Sequence, residues 1–194
     1  MIKRLILCAL LAAGFIPIAV AQEHGQVGVY ADYFRLARTD SNFAGLGGRL
    51  AINANRYVGL EAEMSYDFQR AFTEGFTDPN NPSSITFQRS NLRVLHGLFG
   101  PTVQTGHGPI RAFVTLKGGF INFRFDGRPV SFNTFTSSVT DLRTSNVDGV
   151  LYPGGGLEGH IGPVGLRLDV GDEIFFNNGV HNNLRISFGP VIRF

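Results

Sequence analysis

The chain has 194 residues, a formal net charge of +2, one cysteine, no tryptophan and 25 glycines. Only 16% of residues are charged, against roughly a quarter in an average soluble domain, and 43% are apolar, which excludes a disordered chain. The small charge excess excludes a strongly basic nucleic-acid binder, and a single long apolar run excludes a bundle of membrane-spanning helices.

That run opens the chain. Lys3 and Arg4 precede the apolar stretch Leu5 to Val20, and Ala19-Val20-Ala21 forms a small-x-small cleavage site. Gly14 and Pro17 interrupt the stretch, so residues 1–21 read as a cleaved signal peptide and residues 22–194 as one exported domain. Cleavage removes Lys3, Arg4 and Cys8, leaving a mature chain with balanced charge and no thiol. Lys117 is then its one lysine beside many arginines, a bias towards planar, multi-donor pairing with carboxylates.

The mature chain alternates with period two, the signature of strands with one apolar face. Residues 26–37 set Val27, Val29, Ala31 and Tyr33 against Gly28, Tyr30 and Asp32. Residues 43–54 set Ala44, Leu46, Leu50, Ile52 and Ala54 against Gly45, Gly47, Arg49 and Asn53. The cleanest segment, 58–68, opposes Val58, Leu60, Ala62, Met64, Tyr66 and Phe68 to Gly59, Glu61, Glu63, Ser65 and Asp67. Segments 88–104, 111–126 and 148–161 are similar but less regular: His96 shares a phase with Leu92, Val94 and Leu98, and the alternation slips near Gly118-Gly119 and again at Asp172-Glu173, where bulges are expected. Residues 164–171 and 184–194 alternate cleanly, giving eight strands. Connections alternate too. Long ones are expected near 38–42, 73–86, 127–147 and 177–183, and tight turns at 55–56, 106–110 and 162–163.

Strands this long match or exceed the ~9–11 residues that cross a bilayer at a tilt, and in lipid only a closed sheet satisfies every backbone group. A soluble barrel would show the same alternation with its faces exchanged. Continuous apolar faces, and polar faces that combine glycines with opposite charges, favour an all-β, eight-stranded antiparallel up-and-down transmembrane barrel with a cramped lumen. The polar phase then collects Asp32, Glu61, Glu63, Asp67, Glu158, Asp169 and Glu173 against Arg49, Arg89, Arg93, Arg111, Lys117, Arg167, Arg185 and Arg193. An eight-stranded barrel is only wide enough for side chains to fill, so these read as a packed ion-pair network closing the lumen. The alternative is a narrow or gated channel.

The eight segments, the leader, and the ending LRISFGPVIRF resemble the OmpA/OmpX-type eight-stranded outer-membrane β-barrel family, as do the blocks Gly28–Phe34 (GVYADYF) and Tyr152–Glu158 (YPGGGLE). The resemblance covers residues 22–194. It implies a cell outer membrane of Gram-negative type reached through the periplasm, outer-membrane lipids as surroundings, and barrel assembly machinery reading the terminal aromatic Phe194. Family members include anchors, adhesins and a few lipid-modifying enzymes, so the expected role is structural or surface interaction, with the loop partner unspecified. An enzyme is disfavoured. His181 sits in FFNNGVHNN with Ser187 as the nearest serine, which places no nucleophile where a hydroxyl triad needs one. His24, His96, His107, His160 and His181 have no metal-ligand spacing, and no cofactor or nucleic-acid partner is implied. Tyr66, Phe68, Phe72, Phe120, Phe123, Phe125, Phe175 and Phe176 are candidates for an interfacial girdle at the loop-side strand ends.

Overall fold

The computed structural model describes residues 24–37, 40–78, 81–106, 108–126, 147–177 and 179–194, with side chains 72–90 and 125–126 outside that description. The leader at 1–21 and nearly all of the expected loop at 127–147 therefore lie outside the described residues. The strands are β1 (Gly25–Leu36), β2 (Ser41–Asn53), β3 (Val58–Asp78), β4 (Asn81–Gln104), β5 (Ile110–Asp126), β6 (Val147–Ile161), β7 (Val164–Asp172), β8 (Ile174–Phe176), β9 (Val180–His181) and β10 (Leu184–Arg193). β8 continues β7 along β6 in one register, and β9 leads into β10, so eight strands cross the barrel. Each pairs antiparallel with its chain neighbour, and β1 with β10 closes the ring.

The turn end is tight for local reasons. Gly162 takes φ +62° ahead of Pro163, whose ring fixes its own φ, so two residues reverse the chain. At the β2–β3 turn the Asn55 carboxamide oxygen accepts the amides of Tyr57 at 2.8 Å and Val58 at 2.9 Å. Gly25 and Phe194 exchange two backbone hydrogen bonds of 2.9 Å, pinning both ends of the barrel wall together.

Three expectations need correction. The segment 73–86 is not a long loop, because β3 runs to Asp78 and β4 starts at Asn81. Residues 72–78 find ladder partners only in 81–90 among the described residues, so a two-stranded ribbon about 20 Å long, at ~3.3 Å per residue, extends beyond the barrel wall. No bulge occurs at Gly118-Gly119: the β4–β5 ladder keeps one register from Asn91↔Asp126 to Gln104↔Phe113. At Asp172-Glu173 the phase also continues. There the Asp172 carboxylate accepts the Asn183 amide, and the Glu173 amide donates to the Asn183 carbonyl, both at 2.7 Å. The β3–β4 ladder shifts register instead by a bulge on β3 between Asp67 and Arg70, and again between Thr77 and Asp78.

The apparent slips have one physical cause, a change of polarity with height. From the turn end up to about Tyr66 and Phe120, the wall faces outward with Val29, Leu46, Leu50, Ile52, Leu60, Met64, Val114, Leu116, Leu166 and Leu168, while charged groups fill the inside. Above that level the phase continues but the chemistry exchanges. Arg35, Asn42, Arg70 and Arg124 are exposed on the outside. Phe34, Leu36, Phe43, Leu92, Val94, Leu98, Ile121, Phe123, Val150, Tyr152 and Phe175 form a buried apolar cluster inside. The loop half is thus built like a water-soluble β-domain, and the turn half is built inside out.

Candidate functional site in the barrel interior

Alternation from β2, β3, β5, β7 and β10 delivers the central charges. Lys117 Nζ lies 2.5 Å from Glu61, 2.9 Å from Glu63 and 3.7 Å from Asp169. Arg49 reaches the same three carboxylates at 3.2, 3.0 and 3.5 Å, and Arg167 reaches Glu61 at 2.9 Å and Asp169 at 3.5 Å. Glu61, Glu63 and Asp169 have the spacing of a metal-binding carboxylate cluster. The Lys117 ammonium occupies the place a bound cation would take, so the charge balance is supplied by the chain itself.

Arg185 is the hub one layer higher. Its guanidinium grips Asp32 from Nε at 3.1 Å and from Nη2 at 2.9 Å, and donates to Glu63 at 2.9 Å and to the Ser65 hydroxyl at 3.0 Å. Its Nη1 also lies 3.4 Å from Glu173. Two tyrosines wall the network. Tyr152 donates its hydroxyl to Asp169 at 2.7 Å, and Tyr30 lies under the Arg49 guanidinium at 4.8 Å from its ring centre. Both rings need glycine beside them: a Cβ at Gly47 would sit 2.3 Å from the Tyr30 ring, and one at Gly171 would sit 2.5 Å from the Tyr152 ring. At these two positions the aromatic rings against the inner wall leave room only for glycine.

Towards the turn end, Glu158 gathers Gln26 at 2.7 Å, Arg167 at 3.4 Å and His160 at 3.4 Å, together with Arg193. Arg111 is buried beside them, opposite Glu158 in the β5–β6 ladder. Towards the loop end, Asp67 and Glu173 bracket His96.

The structure therefore brings together Asp32, Arg49, Glu61, Glu63, Asp67, Lys117, Glu158, Arg167, Asp169 and Arg185. Arg93 is a correction: it is half-buried on the outward phase of β4, opposite Arg124, because Leu92, Val94, His96 and Leu98 are the inward residues there. The Arg89 side chain lies outside the described residues. The sequence marks His96 as an oddity of its strand but not as a lumen residue, since its apolar phase-mates belong to the plug and not to the outer wall. The expected aromatic girdle divides. Tyr66, Phe68 and Phe176 are exposed, Phe120 is half-buried, Phe123 and Phe175 are buried in the plug, and the side chains of Phe72 and Phe125 lie outside the described residues. His181 lies 5.0 Å from the Phe175 ring and within hydrogen-bond distance of the Asn177 carbonyl, while the Ser187 hydroxyl accepts from Arg49 deep in the ionic layer. They do not form a catalytic pair.

No family model and no curated protein matches the chain. Among solved structures it is similar to Ail, the attachment invasion locus protein of Yersinia pestis, captured with the heparin analogue sucrose octasulfate; the TM-score is 0.51 at 15% identity, over 88% of this chain and 97% of that one. It is equally similar to Neisserial surface protein A, with TM-score 0.51 and 11% identity, over 88% of this chain and 96% of that one. Identities this low speak to architecture alone. The chain has the fold of the eight-stranded outer-membrane β-barrels.

Proposed function

We propose that the chain is an outer-membrane barrel with a sealed lumen and a structural or surface-interaction role, exported through the periplasm by its leader. The carrying observation is the inside-out turn half. An outer wall of Leu, Val, Ile and Met around a lumen of paired charges is stable in hydrocarbon and unfavourable in water. On β5 the outward apolar run from Ala112 to Phe120 gives way to Asn122 and Arg124, a length that suits one tilted bilayer crossing. The turn end then faces the periplasm, with Phe194 in the position of an assembly signal. The loop half stands in water outside the cell, carrying the β3–β4 ribbon. Ail and Neisserial surface protein A, which share the fold, are an attachment protein and a surface protein, which supports the surface role.

Sealing rests on two layers in series, the ion-pair network and the apolar plug. Water and ions entering past loosened ion pairs still meet Phe34, Phe123 and Phe175. The mature chain refolded into planar bilayers is therefore expected to give no steady conductance, and Arg167→Met is expected to leave it silent. Stable openings of the unaltered protein would establish the small passive channel in its place. Openings caused by Arg167→Met alone would show that the plug is no barrier.

A further inference from the structure

His96 is a fully buried imidazole with a carboxylate at each ring nitrogen. Nδ1 is 2.6 Å from Glu173 Oε1 and Nε2 is 3.0 Å from Asp67 Oδ2. An ionised carboxylate only accepts hydrogen bonds, and a neutral imidazole has one N–H and one bare lone pair. A neutral ring would therefore set a lone pair against a carboxylate, whereas an imidazolium donates to both. The charged groups facing this joint are few. Asp67 comes from β3, Glu173 from the junction of β7 and β8, Arg185 from β10 at 3.4 Å from the second oxygen of Glu173, and Asp32 from β1 on the far side of Arg185. The inward neighbours on β4 are Val94 and Leu98, and Ile121 is the ladder partner on β5, all uncharged. The edge of the Phe34 ring, at 4.8 Å between ring centres, closes the site from the plug side.

The position gives the joint a task. β3 and β4 are neighbours in the wall, but the β7–β8 junction lies across the lumen, so the ring straps one side of the barrel to the other directly beneath the apolar plug. We propose that His96 is a proton-binding site that locks the loop half of the barrel: with both ring nitrogens protonated the strap holds, and loss of one proton to solvent releases it. The released state keeps a neutral ring and two carboxylates, of which Glu173 retains Arg185 and Asp67 loses its strapped imidazolium. The plug above then rests on apolar packing alone. This goes beyond the sealed-barrel reading and does not depend on whether the lumen conducts.

Two measurements on the mature chain test it. Ring-nitrogen NMR of the histidine-labelled protein in micelles at pH 7 is expected to show both nitrogens of His96 carrying hydrogen. Urea unfolding in phosphatidylcholine vesicles is expected to show the midpoint of the unaltered protein falling by roughly 1 M between pH 6 and pH 10. His96→Gln combined with Asp67→Asn is expected to remove most of that fall. A bare ring nitrogen at pH 7 would overturn the proposal. So would an equal fall in the two proteins. Should the double variant not fold, the NMR result alone decides.

Discussion

Arg185→Met is expected to destabilise the barrel by about 3–5 kcal/mol, the range for breaking a buried ion pair by removing one partner. Arg185 is 1% exposed and is the shared cation of Asp32, Glu63 and Glu173; its loss leaves buried Asp32 with no ion pair among the described residues, while Glu63 keeps Arg49 and Lys117 and Glu173 keeps His96. Arg193→Met serves as the comparison. Glu158 keeps Gln26, Arg167 and His160 when Arg193 is removed, so the effect there is expected to be much smaller. Urea midpoints of the two variants in the same vesicles check the order. Equal losses would mean that the interior charges act independently rather than through a hub.

Gly189→Val is expected to prevent closure altogether. A Cβ at this position would lie 2.0 Å from the Val29 carbonyl oxygen and 2.5 Å from the Tyr30 Cα, atoms of the facing backbone that cannot step aside. The site is on the β1–β10 seam, next to Pro190, where the ladder already lacks a donor. Refolding of the variant is expected to yield β-rich material that migrates as unfolded on a gel run without boiling. A folded band with unaltered mobility would show that the seam tolerates a wider spacing. Gly48→Val is the control, since a Cβ there meets only the Gly28 carbonyl oxygen at 4.0 Å.

The strand count and most of the lumen were legible because alternation is a one-dimensional signal that survives folding. Once Glu61, Glu63 and Asp67 share a phase with Arg49 and Arg185 across the ring, enclosure forces them together. What alternation does not report is a change of polarity within one phase. Leu92, Val94 and Leu98 read from the sequence as an apolar outer face, which turns Arg93 inward and requires a slip at Gly118-Gly119. Apart from the bulge on β3 the strands continue in one phase, and it is the chemistry of their two faces that exchanges with height. The segment 73–86 hides its strands for another reason: its polar, Asn- and Ser-rich side chains say loop, while a ladder is carried by main-chain groups that composition does not report. The bulge between Asp67 and Arg70 lies at the height where polarity changes, and no spacing in the sequence marks it.

The membrane reading depends on the direction of the outer wall, and residues 22–194, which contain no cysteine, make that direction measurable. Single cysteines at Leu50, Ala62 and Leu168, each labelled with an environment-sensitive fluorophore, are expected to be quenched by nitroxide-bearing lipid and shielded from aqueous iodide. A label at Asn55, on the turn rim, is expected to respond to iodide. Iodide quenching at Ala62 and Leu168 without any response to nitroxide lipid would show a soluble barrel, and would contradict the inside-out wall.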